Sequence, residues 1–441
     1  MNARLMVACF LVASRAGAQV IANPSAAIAG MGGTGTATAR GLDAVAWNPA
    51  GLGLPETSAF SISLLMNVNG AGGSGPVGMS DFARKYPGDT VPDGVRRGWL
   101  ERVRSNGGQG LNASGDFSLL AFNAGRVGFS YSATARASGK IPTDAVELLL
   151  FGNYGYADSL RALTLAGGRL DGGLFSTAAV SFGLPLGVRI GRWEKQHFAL
   201  GVTAKYMMGH ALGIAADAGS TISTSPIDVN VRLRYVVSDT GRSSAGSGSG
   251  NPEFPMRGSG MGFDIGAAWE GGPFKFGIAL RDVVNSFKWT TSDLYTSITT
   301  VRFTAGSRTE LTGPFTKVSS LGAAARDSVE KLVNPLVVDP SLAIGASWEV
   351  GGRLTFAGEF QQRAGSGLST SPASRIGLGA QWKGIPWLPL RAGYAQTPDA
   401  TFVTGGIGFD FAFVRLDLAG GVNTKTSGDG TAAIALTFGR H

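Results

Sequence analysis

Apolar and polar residues alternate along much of this chain in segments of about ten residues, the period at which successive side chains of an extended strand point to opposite faces. From Ile227 to Tyr235 the odd positions read Ile227, Val229, Val231, Leu233, Tyr235 and the even ones Asp228, Asn230, Arg232, Arg234. Val127, Phe129 and Tyr131 split in the same way from Arg126, Ser130 and Ser132, as do Phe263, Ile265 and Trp269 from Asp264, Gly266 and Glu270. Leu342, Ile344, Ala346, Trp348 and Ile376, Leu378, Ala380, Trp382 repeat the pattern. Such segments are expected near 57–66, 116–124, 126–136, 174–184, 197–208, 216–224, 227–238 and 261–269. Others are expected near 274–283, 341–349, 353–362, 374–382, 388–396, 402–410, 412–420 and 431–438, which makes sixteen strands.

A soluble β-sandwich alternates too, and two features separate it from a membrane barrel. Aromatics stand at the ends of the apolar faces (Tyr206, Tyr235, Trp269, Trp348, Trp382, Tyr394), where a girdle at the lipid–water boundary belongs. Short connections near Ala124-Gly125, Gly271-Gly272-Pro273 and Gly351-Gly352 alternate with long ones over 67–115, 137–173, 239–260 and 284–340. Loops of that length are uncommon in compact soluble domains, whereas tight turns at one rim and long loops at the other characterise bacterial barrels. The expected fold is an all-β transmembrane antiparallel barrel. In that arrangement Val231 faces lipid and Arg232 the lumen.

Composition narrows the setting. The chain has 441 residues, 68 of them Gly, and only 15% are charged. No uncharged apolar run long enough for a membrane helix occurs after the N-terminus, so any crossing must be made by strands. Arg4, the apolar run Leu5 to Ser14 and Ala16-Gly17-Ala18 have the order of a cleavable secretory signal over 1–18. Its removal would take away Cys9, the only cysteine, and so exclude disulfides and cysteine metal sites. Loss of Arg4 and Arg15 lowers the net charge from +8 to about +6 (8 − 2), a balance suited to lipopolysaccharide phosphates, and an exported protein does not meet nucleic acid. Residues 19–55 form a separate non-strand segment ahead of a barrel over 56–441.

Residues 19–55 also carry the most specific motif. Gly30, Gly32 and Gly35 match G-x-G-x-x-G, but no strand precedes them and no βαβ unit follows, so a dinucleotide is not implied. The Gly-Met-Gly-Gly stretch at 30–33, followed by Asp43-Ala-Val-Ala-Trp-Asn-Pro-Ala-Gly-Leu52 just before the first strand, resembles the FadL superfamily. That group holds FadL-type transporters of long-chain fatty acids and aromatic hydrocarbons and the related PorV barrels of type IX secretion. The resemblance implies fourteen strands rather than sixteen and a hatch folded into the lumen, with Asn48, Pro49 and Ala50 at its heart. Gly30, Gly32, Gly33 and Gly35 suit close backbone approach to a barrel wall. Asn48, ahead of Pro49, is biased out of the helical region and carries an amide able to bridge backbone groups. Sealing the lumen and gating it need the same residues, and both roles stay open.

Other chemistry is sparse. His197, His210 and His441 lack ligand spacing, no serine is marked as a nucleophile, and neither a metal, a cofactor nor an enzyme activity is expected. Two long loops hold candidate ligand residues: Arg96, Arg97, Trp99 and Leu100 in one, Leu149 and Phe151 in the other. By analogy with FadL-type capture between loops, the arginines would meet a carboxylate and Leu149 and Phe151 an acyl chain, unless the apolar patch merely packs on its neighbour loop and the arginines face lipopolysaccharide. The expected function is passage of a hydrophobic small molecule across the outer membrane. The alternative is a PorV-like barrel that binds exported proteins. A continuous apolar pocket behind Asn48 would mark the transporter, and a polar interior with a protein-binding rim the alternative. The protein should sediment with outer membranes and resist carbonate extraction; recovery of the mature chain as a soluble periplasmic protein would contradict the reading.

Overall fold

In the computed structural model the described residues are 25–78, 81, 91–152, 162–187, 195–224, 227–238, 255–304, 307–365, 367, 373–398, 400–425 and 430–439. The expected signal at 1–18 and the start of the N-terminal segment at 19–24 lie outside them.

Fourteen antiparallel strands close on themselves. They are β1 (Phe60–Gly75), β2 (Gln109–Ala124), β3 (Val127–Ile141), β4 (Arg169–Leu186), β5 (Gln196–Asp217), β6 (Gly258–Gly271) and β7 (Phe274–Asn285). The circuit continues with β8 (Ser341–Val350), β9 (Leu354–Arg363), β10 (Ser374–Trp382), β11 (Leu390–Gln396), β12 (Thr401–Phe411), β13 (Val414–Asn423) and β14 (Gly430–Gly439). Each pairs with the next, and β14 returns to β1 through Ile62 opposite Phe438 and Ala71 opposite Thr431. Closure removes the free edges, so every strand of the wall has partners on both sides.

The outer face is apolar and open. Val180, Phe182 and Leu184 of β4, Val202 of β5, Ile265 of β6, Ile278 of β7 and Leu378 of β10 are all exposed, and the residues between them point inward and are small or polar. An apolar belt this continuous has no stable counterpart in water, so the barrel crosses a lipid bilayer. Trp348 and Trp382 mark the short-turn end of the belt and Tyr394 the other, and Trp269 and Trp348 lean on Phe276 and Phe356 with ring centroids 5.6 and 6.1 Å apart. Among the described residues no helix is long and apolar enough to cross a membrane.

Two of the sixteen expected strands are not in the wall. Residues 216–224 divide between the end of β5 and a short strand at Thr221–Thr224, and Ile227–Val237 runs beyond the wall between the far end of β5 (Gly213–Asp217) and Tyr295–Thr304, which forms a hairpin with Ser307–Thr312. The cleanest alternation in the chain thus lies outside the barrel. Val229, Val231 and Leu233 are half-buried, and the strand runs into Val236, which is buried with Leu212, Ile214 and Leu294. Alternation announces one apolar face; it does not say whether lipid or protein covers it. The remaining fourteen expected segments all coincide with wall strands.

The long-loop end is capped by protein. Helix α5 (Ala323–Val333) buries Val329 and Val333 against Phe287, Trp289 and Val318, and Trp289 Nε1 donates to Leu336 O at 2.8 Å. The loops there are shorter than expected because β1 to β4 run on beyond the apolar belt. Segments such as Gly70 to Gly75 lie above it and have no need of an apolar face.

Position in the wall separates two otherwise similar substitutions. Val202→Arg, on the lipid face, should destabilise the barrel by roughly 2–4 kcal/mol near the bilayer midplane, whereas Val231→Arg, outside the wall, should cost much less. Urea titrations of both variants refolded into liposomes would measure the difference.

Candidate functional site

Residues 25–54 form an inner segment: helix α1 (Ala26–Gly30), a turn, helix α2 (Leu42–Trp47) and a single 3₁₀ turn (Pro49–Gly53). Ser25 caps α1 by accepting from Ile28 N–H at 3.3 Å. The segment touches inward-facing residues of β2 through β14, which is possible only from inside the barrel.

Glycines on the wall make that contact possible. Gly183, Gly201, Gly266, Gly277 and Gly345 lie on the consecutive strands β4 to β8, and Gly377 and Gly379, Gly393 and Gly406 lie on β10 to β12. A Cβ on any of them would press on the inner segment: on Gly53 N from Gly183, Ala50 N from Gly201, Thr36 O from Gly277 and Met31 O from Gly379. Several are direct cross-strand neighbours, Gly183 with Gly201, Gly201 with Gly266, Gly277 with Gly345 and Gly379 with Gly393. The missing side chains leave a groove in which backbone lies on backbone.

Where β9 crosses this row the wall presents Glu359, between Gly345 and Gly377 in register. Its Oε2 accepts from the N–H groups of Gly35 at 2.8 Å and Thr36 at 2.7 Å. Its Oε1 meets Arg375 of β10 at 2.6 Å, and Arg375 donates to Gly32 O at 2.7 Å and Gly33 O at 2.8 Å. Both charged side chains are essentially unexposed, at 1% and 0%. The turn they grip has Gly32 at φ 66° and Gly33 at φ 81°, a backbone region that disfavours a side chain. Thr404 completes the clasp, accepting from Gly32 N–H and donating to Gly30 O, each at 3.1 Å.

Asn48 holds the other end. Its Nδ2 donates to Thr36 O at 2.9 Å and to Ala267 O of β6 at 3.1 Å, while its Oδ1 accepts from Ala50 N–H at 3.2 Å and caps the 3₁₀ turn. Pro49 occupies the first position of that turn, where its missing N–H costs nothing. Ala50 packs with Leu54, Ala199 and Ala268. Arg281 of β7 donates to Trp47 O at 2.9 Å and lies over the indole at 5.1 Å, and Gly35 leaves room for that ring and Ile28.

The loop candidates come together in part. Helices α3 (Asp93–Ser105) and α4 (Thr143–Phe151) pack on each other through Val77, Trp99, Val103 and Val146, and Leu100 is fully buried. Arg96 donates to Leu150 O at 2.8 Å and stands over Phe151 at 5.1 Å, whereas Leu149 is 79% exposed. Arg96 and Arg97 both reach Asp93, at 3.1 and 2.6 Å, so two guanidiniums share one carboxylate within the helix. His210 Nε2 lies 2.7 Å from Ser176 Oγ, but that serine is buried. Among the described residues no group of three His, Cys, Asp or Glu is placed to hold a metal.

A cavity of about 620 Å³ runs beside the inner segment with a mixed lining: Asp43, Asp417, Arg415 and Ser and Thr side chains, together with Ile28, Met31, Val45, Phe175 and Met207. At the short-turn end Lys383 also borders the cavity; burial, then the nearby Arg415 and Arg391 guanidiniums, push its ammonium below the usual lysine value.

Fold and site together define a class: a fourteen-stranded membrane barrel with its N-terminal segment packed across the lumen. Residues 53–415 match a family of unknown function (DUF5723), and the chain belongs to that family. The comparison with curated proteins finds no match. Among solved structures the chain is similar to the Pseudomonas putida toluene transporter TodX (12% identity, covering 96% of this chain and 98% of that one, TM-score 0.43). It is similar also to a Pseudomonas aeruginosa FadL homologue (12%, 96% and 99%, 0.45) and to the monoaromatic hydrocarbon channel CymD (15%, 94% and 97%, 0.45).

Glu359, Arg375, Arg281 and Thr404 are site residues that sequence reasoning missed. The available signal was glycine recurring on the inward face of neighbouring strands with one carboxylate among them. Arg375→Gln should strand the Glu359 carboxylate in a dry site, with a cost of about 3–5 kcal/mol borne by the docking of the inner segment. Limited proteolysis near residues 30–36 should quicken in the variant while the barrel keeps its heat-modifiable gel mobility.

Proposed function

We propose that the protein is an outer-membrane channel for small hydrophobic molecules, with the inner segment as its hatch. The observation that carries this reading is the placement of the segment across the lumen, held by side-chain bonds from Asn48, Glu359 and Arg375 rather than by strand pairing. Contacts of that kind can be released without breaking the wall. Leu149, exposed at the long-loop end on a helix whose Trp99 and Val146 contacts hold it in place, supports capture of an apolar ligand there. The signal-like N-terminus and the even strand number support placement in a bacterial outer membrane.

A second reading has its own support. The polar side chains in the lining of the cavity suit a barrel that works through its rim, binding exported proteins in the PorV manner. The sheet of Ile227–Val237, Tyr295–Thr304 and Ser307–Thr312 extends from that rim and exposes Leu311.

Deleting Gln19 to Gly51 while retaining residues 1–18 should leave a barrel that assembles and conducts far more current in planar bilayers than the intact protein. Asn48→Ala removes the bridge between Thr36 O and Ala267 O, should weaken docking by roughly 1–3 kcal/mol, and should change the entry rate of long-chain fatty acids into proteoliposomes. Unchanged conductance on deletion would show that the segment is no hatch. Raised conductance without fatty-acid entry in any form would favour the rim-binding reading.

A further inference from the structure

The inner segment does not fill the lumen evenly. It lies on the glycine groove of β4 to β12, and the facing wall of β2, β3 and the adjoining part of β4 carries hydroxyls. Ser118, Ser132 and Thr177 form one cross-strand row on these three strands, Ser132 opposite both others. All three border the cavity, and the segment turns Thr38, Ala39 and Ala46 toward it together with Ile28, Met31, Arg40 and Val45. On β3 the cavity wall runs from Ser130 to Thr134, above Gly128, on which Val45 and Leu52 of the segment close. That is ~14 Å of strand, or ~10 Å of height at the usual tilt, and the cavity is bordered also by Val338 beyond one end of β8 and Gly352 beyond the other. The same cavity reaches Lys275 and Glu349 at the short-turn end.

We infer that the closed barrel contains a hydrophilic conduit between its inner segment and the wall of β2 to β4, passing hydrated ions and small hydroxylated solutes. Hydroxyls that both donate and accept replace lost hydration shells without favouring one sign of charge, whereas an apolar molecule gains nothing on such a wall. Bases and acids line the conduit together, Lys275 with Glu349 and Arg415 with Asp417, so charge selection should be weak. This route differs from the hydrophobic one and needs no movement of the hatch.

The test places Ser132→Cys in the intact protein on a Cys9→Ser background, in planar bilayers with potassium chloride. The intact channel should carry a small steady current with a reversal potential close to zero in a salt gradient. A bulky water-soluble thiol reagent should abolish most of that current in Ser132→Cys and in the neighbouring Thr177→Cys. Ala133→Cys, on the opposite face of the same strand, should be unaffected. Cysteine is nearly isosteric with serine, so assembly should be preserved, and heat-modifiability on gels verifies it. An intact protein that carries no current while the Gln19–Gly51 deletion conducts would overturn the conduit and leave the hatch reading standing. Current that survives modification at both positions would overturn it as well.

Discussion

The arrangement depends on backbone meeting backbone across the lumen. A peptide segment inside a barrel has no strand ladder to join, yet its N–H and C=O groups must find partners wherever water is excluded. Here the wall supplies them in two ways. Its glycines let the segment approach closely, and Glu359 and Arg375 provide acceptor and donors at the bottom of the groove that the glycines create. Neither device works alone. With ordinary side chains on β8 and β10 the inner segment would be held off the wall, out of reach of both charged groups. Without the pair, the carbonyls of Gly32 and Gly33 and the amides of Gly35 and Thr36 would lie buried and unmatched.

The two sides of the segment consequently differ in character. Against the groove it is dry, and the Arg375–Glu359 pair is almost wholly unexposed. A buried pair of this kind contributes specificity of position more than net stability, because desolvation offsets much of the attraction. On the cavity side the contact is looser, and the Arg415–Asp417 pair of β13, at 2.7 Å, borders the cavity. A movement that opens the lumen would therefore begin at the cavity side, with the turn at Gly32 and Gly33 as its fixed end.

Much of the wall was readable from the chain, since lipid demands a strict apolar face and fourteen segments met that demand. The Ile227–Tyr235 segment misled because a sheet that packs on a protein cap obeys the same period. The outer halves of β1 to β4 were hidden for the opposite reason: above the membrane neither face need be apolar, and Gly70 to Gly75 reads as loop. Asn48 was found because it sits in a local motif with its proline. Glu359 and Arg375 act on residues more than three hundred positions away, and local spacing carries no trace of such a pairing. The glycines of the groove were visible one by one, as on Gly266 and Gly377, but their alignment depends on strand register.

That register also limits how the family can vary. Antiparallel barrels change circumference by whole hairpins, and a lumen filled only with water would tolerate an added one. Here the row of bare positions from Gly183 on β4 to Gly406 on β12 is matched to one length of inner chain, with Glu359 at a set place along it. An extra hairpin between those strands would split the row and carry Gly53 and Gly30 away from their seats. The segment acts as an internal gauge of girth, so relatives that retain it should vary in their loops and rim while keeping the same number of staves.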